Sequence, residues 1–177
     1  STLLAGAGST VDYADGVTIG NLVGLTGGVF MNQGLGSATQ SGLIEGADSS
    51  LTKTGTGILT LTGRNTYTGG TNVQAGTLLV NGDQSAATGL TSVFGGATLG
   101  GKGVVGGDVT LADGASLNPG TSPGTLTING NLALSGGSIL NFEFGEAGVA
   151  GGSLNDLVNV GGDLTLDGTL NVTTSAG

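Results

Sequence analysis

The sequence has no cysteine and no histidine. Without thiols it can form no disulfide and carries no thiolate nucleophile or metal ligand. Without imidazole the usual zinc sites, Ser-His-Asp triads and Cys-His dyads are also removed. Basic charge is almost missing: Lys53, Arg64 and Lys102 stand against 12 acidic residues, for a net charge of −9. Phosphate neutralisation needs clustered Lys and Arg, so no nucleic-acid partner is expected, and an anionic membrane surface is equally disfavoured. Two prolines, and glycines that do not recur every third residue, exclude collagen. There is no signal-peptide pattern and no run of about 18 apolar residues. The first residue is Ser1 rather than methionine, which suggests an excised piece of a longer chain.

Aromatics are 3% and charged residues 8%, yet 37% of residues are hydrophobic and the mean hydropathy is positive. Disordered chains are poor in aliphatics and rich in charge, so this composition points to a packed core. A chain of 177 residues is long enough for one domain with such a core. The 40 glycines constrain how it is built. Each costs roughly 0.5–1 kcal/mol against alanine inside a regular element. Spread through strand interiors they would cancel a domain's stability, so most are expected in turns, where positive φ favours glycine. Many turns imply many short strands.

Internal self-similarity supports this. Shifting Leu126–Leu134 by 32 residues places Leu126, Ile128, Gly130, Leu132 and Leu134 on Val158, Val160, Gly162, Leu164 and Leu166. A shift of 23 in the other direction brings Val105, Gly107, Val109, Leu111, Gly114 and Leu117 under Ile128, Gly130, Leu132, Leu134, Gly137 and Leu140. Val73–Leu79 is a weaker copy. Each copy alternates aliphatics at period two, turns, and alternates again, so aliphatics share one face and Thr, Asn or Asp the other. The expected turns are Asp15-Gly16, Asn81-Gly82, Asp113-Gly114, Asn129-Gly130, Asp167-Gly168, Asn118-Pro119-Gly120 and Ser122-Pro123-Gly124.

No segment has helical periodicity, so the chain reads as all-β. Asn-Gly and Asp-Gly pairs suit the hairpins of a sandwich and the corners of a solenoid alike. Quasi-repeats, very short strands and inward aliphatics of similar size favour the solenoid. The expected fold is a right-handed parallel β-helix, with a C-terminal hairpin or sandwich-like cap as an option. A rung of about 22 residues gives roughly 8 rungs, and at about 4.8 Å per rung a body roughly 38 Å long. Residues 1–50 are less regular; Leu3, Val11, Val17, Ile19, Leu22, Val23 and Val29 are their expected inward positions. No linker divides residues 1–177.

Residues Leu51–Val80 read LTKTGTGILTLTGRNTYTGGTNVQAGTLLV. They closely resemble the passenger-associated repeat of autotransporters, the type V secretion proteins of Gram-negative bacteria. The correspondence lies in Leu51–Leu61, Asn65–Thr71 and Gly76–Leu78. Ser41–Gly46 resembles the usual lead-in, Leu117–Leu126 the turn before the last rungs, and Asp156–Val172 the passenger's end. The resemblance implies a β-helix at the cell surface or secreted, exported through its own outer-membrane β-barrel. It also implies that about residues 105–172 overlap an autochaperone-like region that helps the passenger fold outside the cell. The function expected is a non-catalytic stalk. The alternative is an adhesin whose surface contacts host glycans, matrix or sister cells, with self-association among its options.

No catalytic, cofactor-binding or metal residue is expected. Glu143 with Glu146, Asp163 with Asp167, and Asp108 with Asp113 are the carboxylates available for acid–base chemistry, but they are scattered and lack basic partners. Asp113 and Asp167 precede glycine, which marks them as turn residues. Gly107-Asp108 and Gly162-Asp163 lack the tandem spacing of calcium-binding nonapeptides. Gly95–Gly103 lacks the Gly-Lys-Ser/Thr ending of a phosphate loop. Tyr67 and Arg64 flank a turn, with Tyr67 expected to pack rather than bind. Phe142 and Phe144 are expected to cover the core at a terminal cap. Asn171-Val172-Thr173 is a glycosylation sequon by pattern alone.

Overall fold

The alternating segments become short strands, none longer than six residues. The computed structural model describes residues 1–120 and 123–175; Thr121 and Ser122, within one of the expected turns, lie outside the described residues. Successive strands do not pair with each other. Each pairs in parallel with an equivalent strand one coil away, so the chain winds as a β-solenoid.

Two faces hold eight strands each. The first contains Thr10–Tyr13, Val29–Gln33, Leu51–Thr54, Thr71–Val73, Thr91–Val93, Val109–Leu111, Leu132–Leu134 and Leu164–Thr165. The second contains Thr18–Ile19, Ser37–Gln40, Ile58–Leu61, Thr77–Val80, Thr98–Gly101, Ser116–Pro119, Ile139–Phe144 and Thr169–Thr174. The third face is split into a three-stranded and a four-stranded sheet. The break falls on the fourth of the eight rungs. All paired strands are parallel, and the antiparallel contacts among the described residues are the isolated bridges Gly101–Gly120 and Phe144–Asn155. Parallel pairing rules out the sandwich.

The register reproduces the repeats. Leu126 pairs with Val158 and Ile128 with Val160 across the 32-residue shift. Val109 pairs with Leu132 and Leu111 with Leu134 across the 23-residue shift. Because side chains alternate at period two, this register stacks like on like. One interior column runs Ala38, Leu59, Leu78, Leu99, Leu117, Leu140, Leu170. Another runs Val11, Met31, Lys53, Val73, Val93, Leu111, Leu134. The columns form one core reaching from Ala5 to Leu140.

Three expectations change. The N-terminal segment does form rungs, with Val23 and Val29 buried, but Leu22 faces outward. The inward alternation there is set by Val23 and Leu25. At the other end no hairpin closes the solenoid among the described residues: Thr169–Thr174 continues in parallel with Ile139–Phe144. Positive φ, moreover, explains only fifteen glycines among the described residues, including those of Asp15-Gly16, Asp113-Gly114 and Asp167-Gly168. Gly82 and Gly130 are not among them. Many of the others mark close approach at a corner. A Cβ on Gly63 would run into the Gly42 carbonyl oxygen, one on Gly82 into that of Gly63, and one on Gly103 into that of Gly82. Four stacked rungs turn where only hydrogen fits.

Candidate functional site

Residues 51–80 form the third-to-fourth rung, where the third face breaks. Leu51–Thr54 and Ile58–Leu61 pair with Thr71–Val73 and Thr77–Val80 one coil later. Between them, residues 62–70 form no strand. Side chains supply part of the missing ladder. Asn65 is buried, and its Oδ1 accepts from the Ile44 N–H at 2.8 Å. Thr66 N–H still reaches the Ile44 carbonyl at 2.8 Å. Tyr67 turns inward rather than presenting a surface, with its hydroxyl 2.7 Å from that of Thr71. Gln84 Nε2 donates to the Gly63 carbonyl at 3.0 Å. Arg64 stays exposed and pairs with Asp83 at 3.3 Å. Hydrogen bonds from Ser85, and then the Arg64 charge, hold the Asp83 carboxyl below its ordinary range.

Lys53 is fully buried in a column otherwise made of Val, Met and Leu. Its stem fills a core slot. Its Nζ donates to the carbonyls of Thr54 at 2.7 Å, Gly55 at 2.8 Å and Ala75 at 3.2 Å, closing the corner between the first and second faces. Burial pushes its ammonium down to about 8. An ammonium has three donors and no acceptor, and here three carbonyls meet them. Composition had marked Lys53 only as one of three bases; its place in the repeat motif was the signal that it has a fixed role.

The candidate carboxylates separate. Asp108 Oδ1 accepts the Asn131 N–H, and Asn131 Oδ1 accepts the Asp163 N–H, both across rungs at the corner between the third and first faces. Asp113 Oδ1 accepts the Gly137 N–H of the next rung, and Asp167 Oδ1 accepts from Gly168, at the corner between the first and second faces. Asp15 does the same for Ser37. Asp167 caps its own turn, whereas Asp15, Asp108, Asp113 and Asn131 tie one coil to the next. Glu143 lies on the second face, and Glu146 is exposed on the excursion of residues 145–156. Asn155 and Asp156, which the sequence reading did not single out, hold that excursion. Asn155 Oδ1 accepts the N–H groups of Gly145 and Glu146, and the Asp156 carboxylate accepts those of Gly124 and Glu143. No group of three or more His, Cys, Asp or Glu able to hold a metal occurs among the described residues.

Residues 95–103 form a corner, the strand Thr98–Gly101 and the following turn, with no helix after them. Phe142 packs half-buried against the core, but Phe144 is 41% exposed, with the ring centroids 5.8 Å apart. Nothing among the described residues lies beneath the eighth rung. Val158 and Val160 still pack partly buried against the core, but the inward side chains of its other two faces, Leu164, Leu166, Leu170 and Val172, are each more than half exposed.

The outer surfaces of the two long faces are almost free of charge. Their strands carry Asp12 and Glu143, Lys53 being inward. Thr, Ser and Asn dominate, and they form ladders. Asn141 Nδ2 donates to Asn118 Oδ1 at 2.7 Å, and Asn171 Nδ2 to Asn141 Oδ1 at 3.0 Å. Asn32 bridges Asp12 and Thr54 in the same way.

Residues 51–80 match the family described as passenger-associated-transport-repeat. The chain is 54% identical over 144 residues, 80% of its length, to the adhesin BmaC autotransporter of Brucella suis biovar 1. It spans about 4% of that relative's length. No solved structure matches it. The repeat motif sits on two stacked parallel coils, and the likeness to the relative extends over most of the remaining rungs: the chain is a segment of an autotransporter passenger.

Proposed function

We propose that this segment is a non-catalytic stalk of a surface adhesin, and that its inner C-terminal rungs template the folding of the coils around them. As part of a passenger it lies at the cell surface or in the secreted fraction of a Gram-negative bacterium, and the full protein carries its own C-terminal barrel. The observation that carries the reading is the use made of the polar side chains. The carboxylates of Asp15, Asp108 and Asp113 bond to backbone N–H groups of the next coil rather than converging on a groove. In a solenoid, stability is a sum of rung and neighbour terms, and the first rungs are the hardest to form. Rungs five to seven hold Leu99, Leu111, Leu117, Leu126, Ile128 and Leu140, all nearly inaccessible to solvent. Once formed, they offer open strand edges on which the next coil can pair.

The test is an in-frame deletion of Leu126–Val172 from the full-length parent, displayed on a Gram-negative host. The expected result is passenger that reaches the surface but is protease-sensitive. A second reading is favoured by the relative's own description as an adhesin and by the charge-poor Thr and Asn ladders: the outer faces themselves contact glycans, matrix or sister cells. Loss of cell or matrix binding while the displayed passenger stays protease-resistant would replace the first reading with this one.

A further inference from the structure

The fourth and fifth rungs enclose a small internal cavity at the point where the third face is interrupted. Its volume is about 10 Å³. Every residue lining it is buried. Leu61, Leu78 and Val105 supply apolar wall, and four residues bring polar atoms: Tyr67, Thr71, Gln84 and Thr91. The Tyr67 and Thr71 hydroxyls satisfy each other at 2.7 Å. Gln84 is 3% exposed, and its Nε2 is engaged by the Gly63 carbonyl. Its Oε1 is buried without a protein partner.

A buried amide oxygen left without a donor costs roughly 1–3 kcal/mol. An internal water needs about 10–15 Å³ of such space, close to one probe sphere, and two to four polar partners. The cavity meets the lower bound of that volume, and its wall offers hydroxyls that can donate as well as accept. Gln84 is also fixed in place. It lies in register with Val105 and, beyond it, Ile128, so its side chain points along an interior column. From these facts we infer that one water molecule is bound inside the solenoid at this seam, donating to Gln84 Oε1 and bonding to the hydroxyls of Thr91 and the Tyr67–Thr71 pair. This water completes the polar network that stands in for the absent strand of the fourth rung. The site is a structural one, lined by buried residues, and it takes a neutral donor–acceptor molecule of that size rather than an ion, because no charged side chain lines it.

The experiment is a high-resolution crystal structure of the chain, combined with oxygen-17 magnetic relaxation dispersion on the wild type and on Gln84→Met. The expected result is a full-occupancy peak about 2.5–3.0 Å from Gln84 Oε1, together with loss of one long-lived water from the relaxation amplitude in the variant. An empty cavity in the wild-type density, a peak with the short many-ligand contacts of a metal, or an amplitude unchanged by Gln84→Met would each overturn it. Should Gln84→Met fail to fold, the wild-type density decides the question alone.

Discussion

At the scale of single residues, Lys53 shows what the repeat motif requires. A lysine in a column of Val, Met and Leu is tolerated because its stem packs like methionine and its three donors meet three carbonyls. Its folded pKa of about 8 lies below the ordinary 10.5. Between those values the unfolded chain holds more protons than the folded one, so stability rises with pH. Tyr13 and Tyr67 act in the opposite sense. Burial raises both above their ordinary 10.0, so stability falls once unfolded tyrosines begin to lose protons. Thermal unfolding followed against pH should therefore show Tm climbing from about pH 8, then dropping above pH 10. In Lys53→Met the climb should vanish and the drop remain. A wild-type Tm that stays flat or falls between pH 8 and 10 contradicts the burial of Lys53.

The corner glycines give a second residue-scale prediction. Gly63 and Gly34 look alike in the sequence. Gly63→Ala places a methyl against the Gly42 backbone and should destabilise by about 1–3 kcal/mol. Gly34 has open space around it and no positive φ. Gly34→Ala should be neutral or stabilise by up to about 1 kcal/mol. Neither glycine has a positive φ, so denaturant unfolding of the two variants isolates close packing as a reason for this composition.

At the scale of the rung, depth in the stack should govern energetics. Leu99 and Leu166 are both inward positions of the same kind of strand pattern. Leu99 is fully buried between rungs, whereas Leu166 is 64% exposed at the open end. Leu99→Ala should cost about 2–5 kcal/mol, and Leu166→Ala about 0.5 kcal/mol or less. Equal losses would mean that the eighth rung is covered in solution.

This contrast also marks how far the sequence could be read. The alternation of Leu126, Ile128, Leu132 and Leu134, and its recurrence at Val158–Leu166, named both the inward residues and the register, because period-two alternation stacked at a fixed shift has one solution. The repeat at Leu51–Val80 fixed the family. What stayed illegible depended on contacts between coils. Leu22 and Val23 are equally apolar, and only pairing with Thr2 and Leu3 decides which faces in. Asn65, Gln84 and Asp156 look like surface residues until the broken third face and the 145–156 excursion bring backbone groups to them. Asp108 and Asp113 have the composition of acid–base candidates in the sequence, but their cross-rung capping is a property of the stack and has no local signature.

At the scale of the whole molecule, stability is uneven along the axis. The second and third rungs contain buried Gln33, Gln40 and Lys53, and the fourth buries Asn65. Each side chain must find specific partners before it stops opposing collapse. Rungs five to seven bury fewer polar side chains, Gln84 at the start of the fifth among them, and the eighth is open on one side. Folding should therefore start within about residues 83–144 and spread in both directions, the N-terminal rungs completing later as their polar interiors are satisfied. The most direct test is pulsed hydrogen exchange during refolding of this chain, read amide by amide. The account predicts that the strands at Thr98–Gly101, Ser116–Pro119 and Thr125–Ile128 gain protection first, ahead of Thr10–Tyr13 and Val29–Gln33. Earlier protection of the N-terminal strands, or simultaneous protection of all rungs, would contradict the claim that the inner C-terminal coils template the rest.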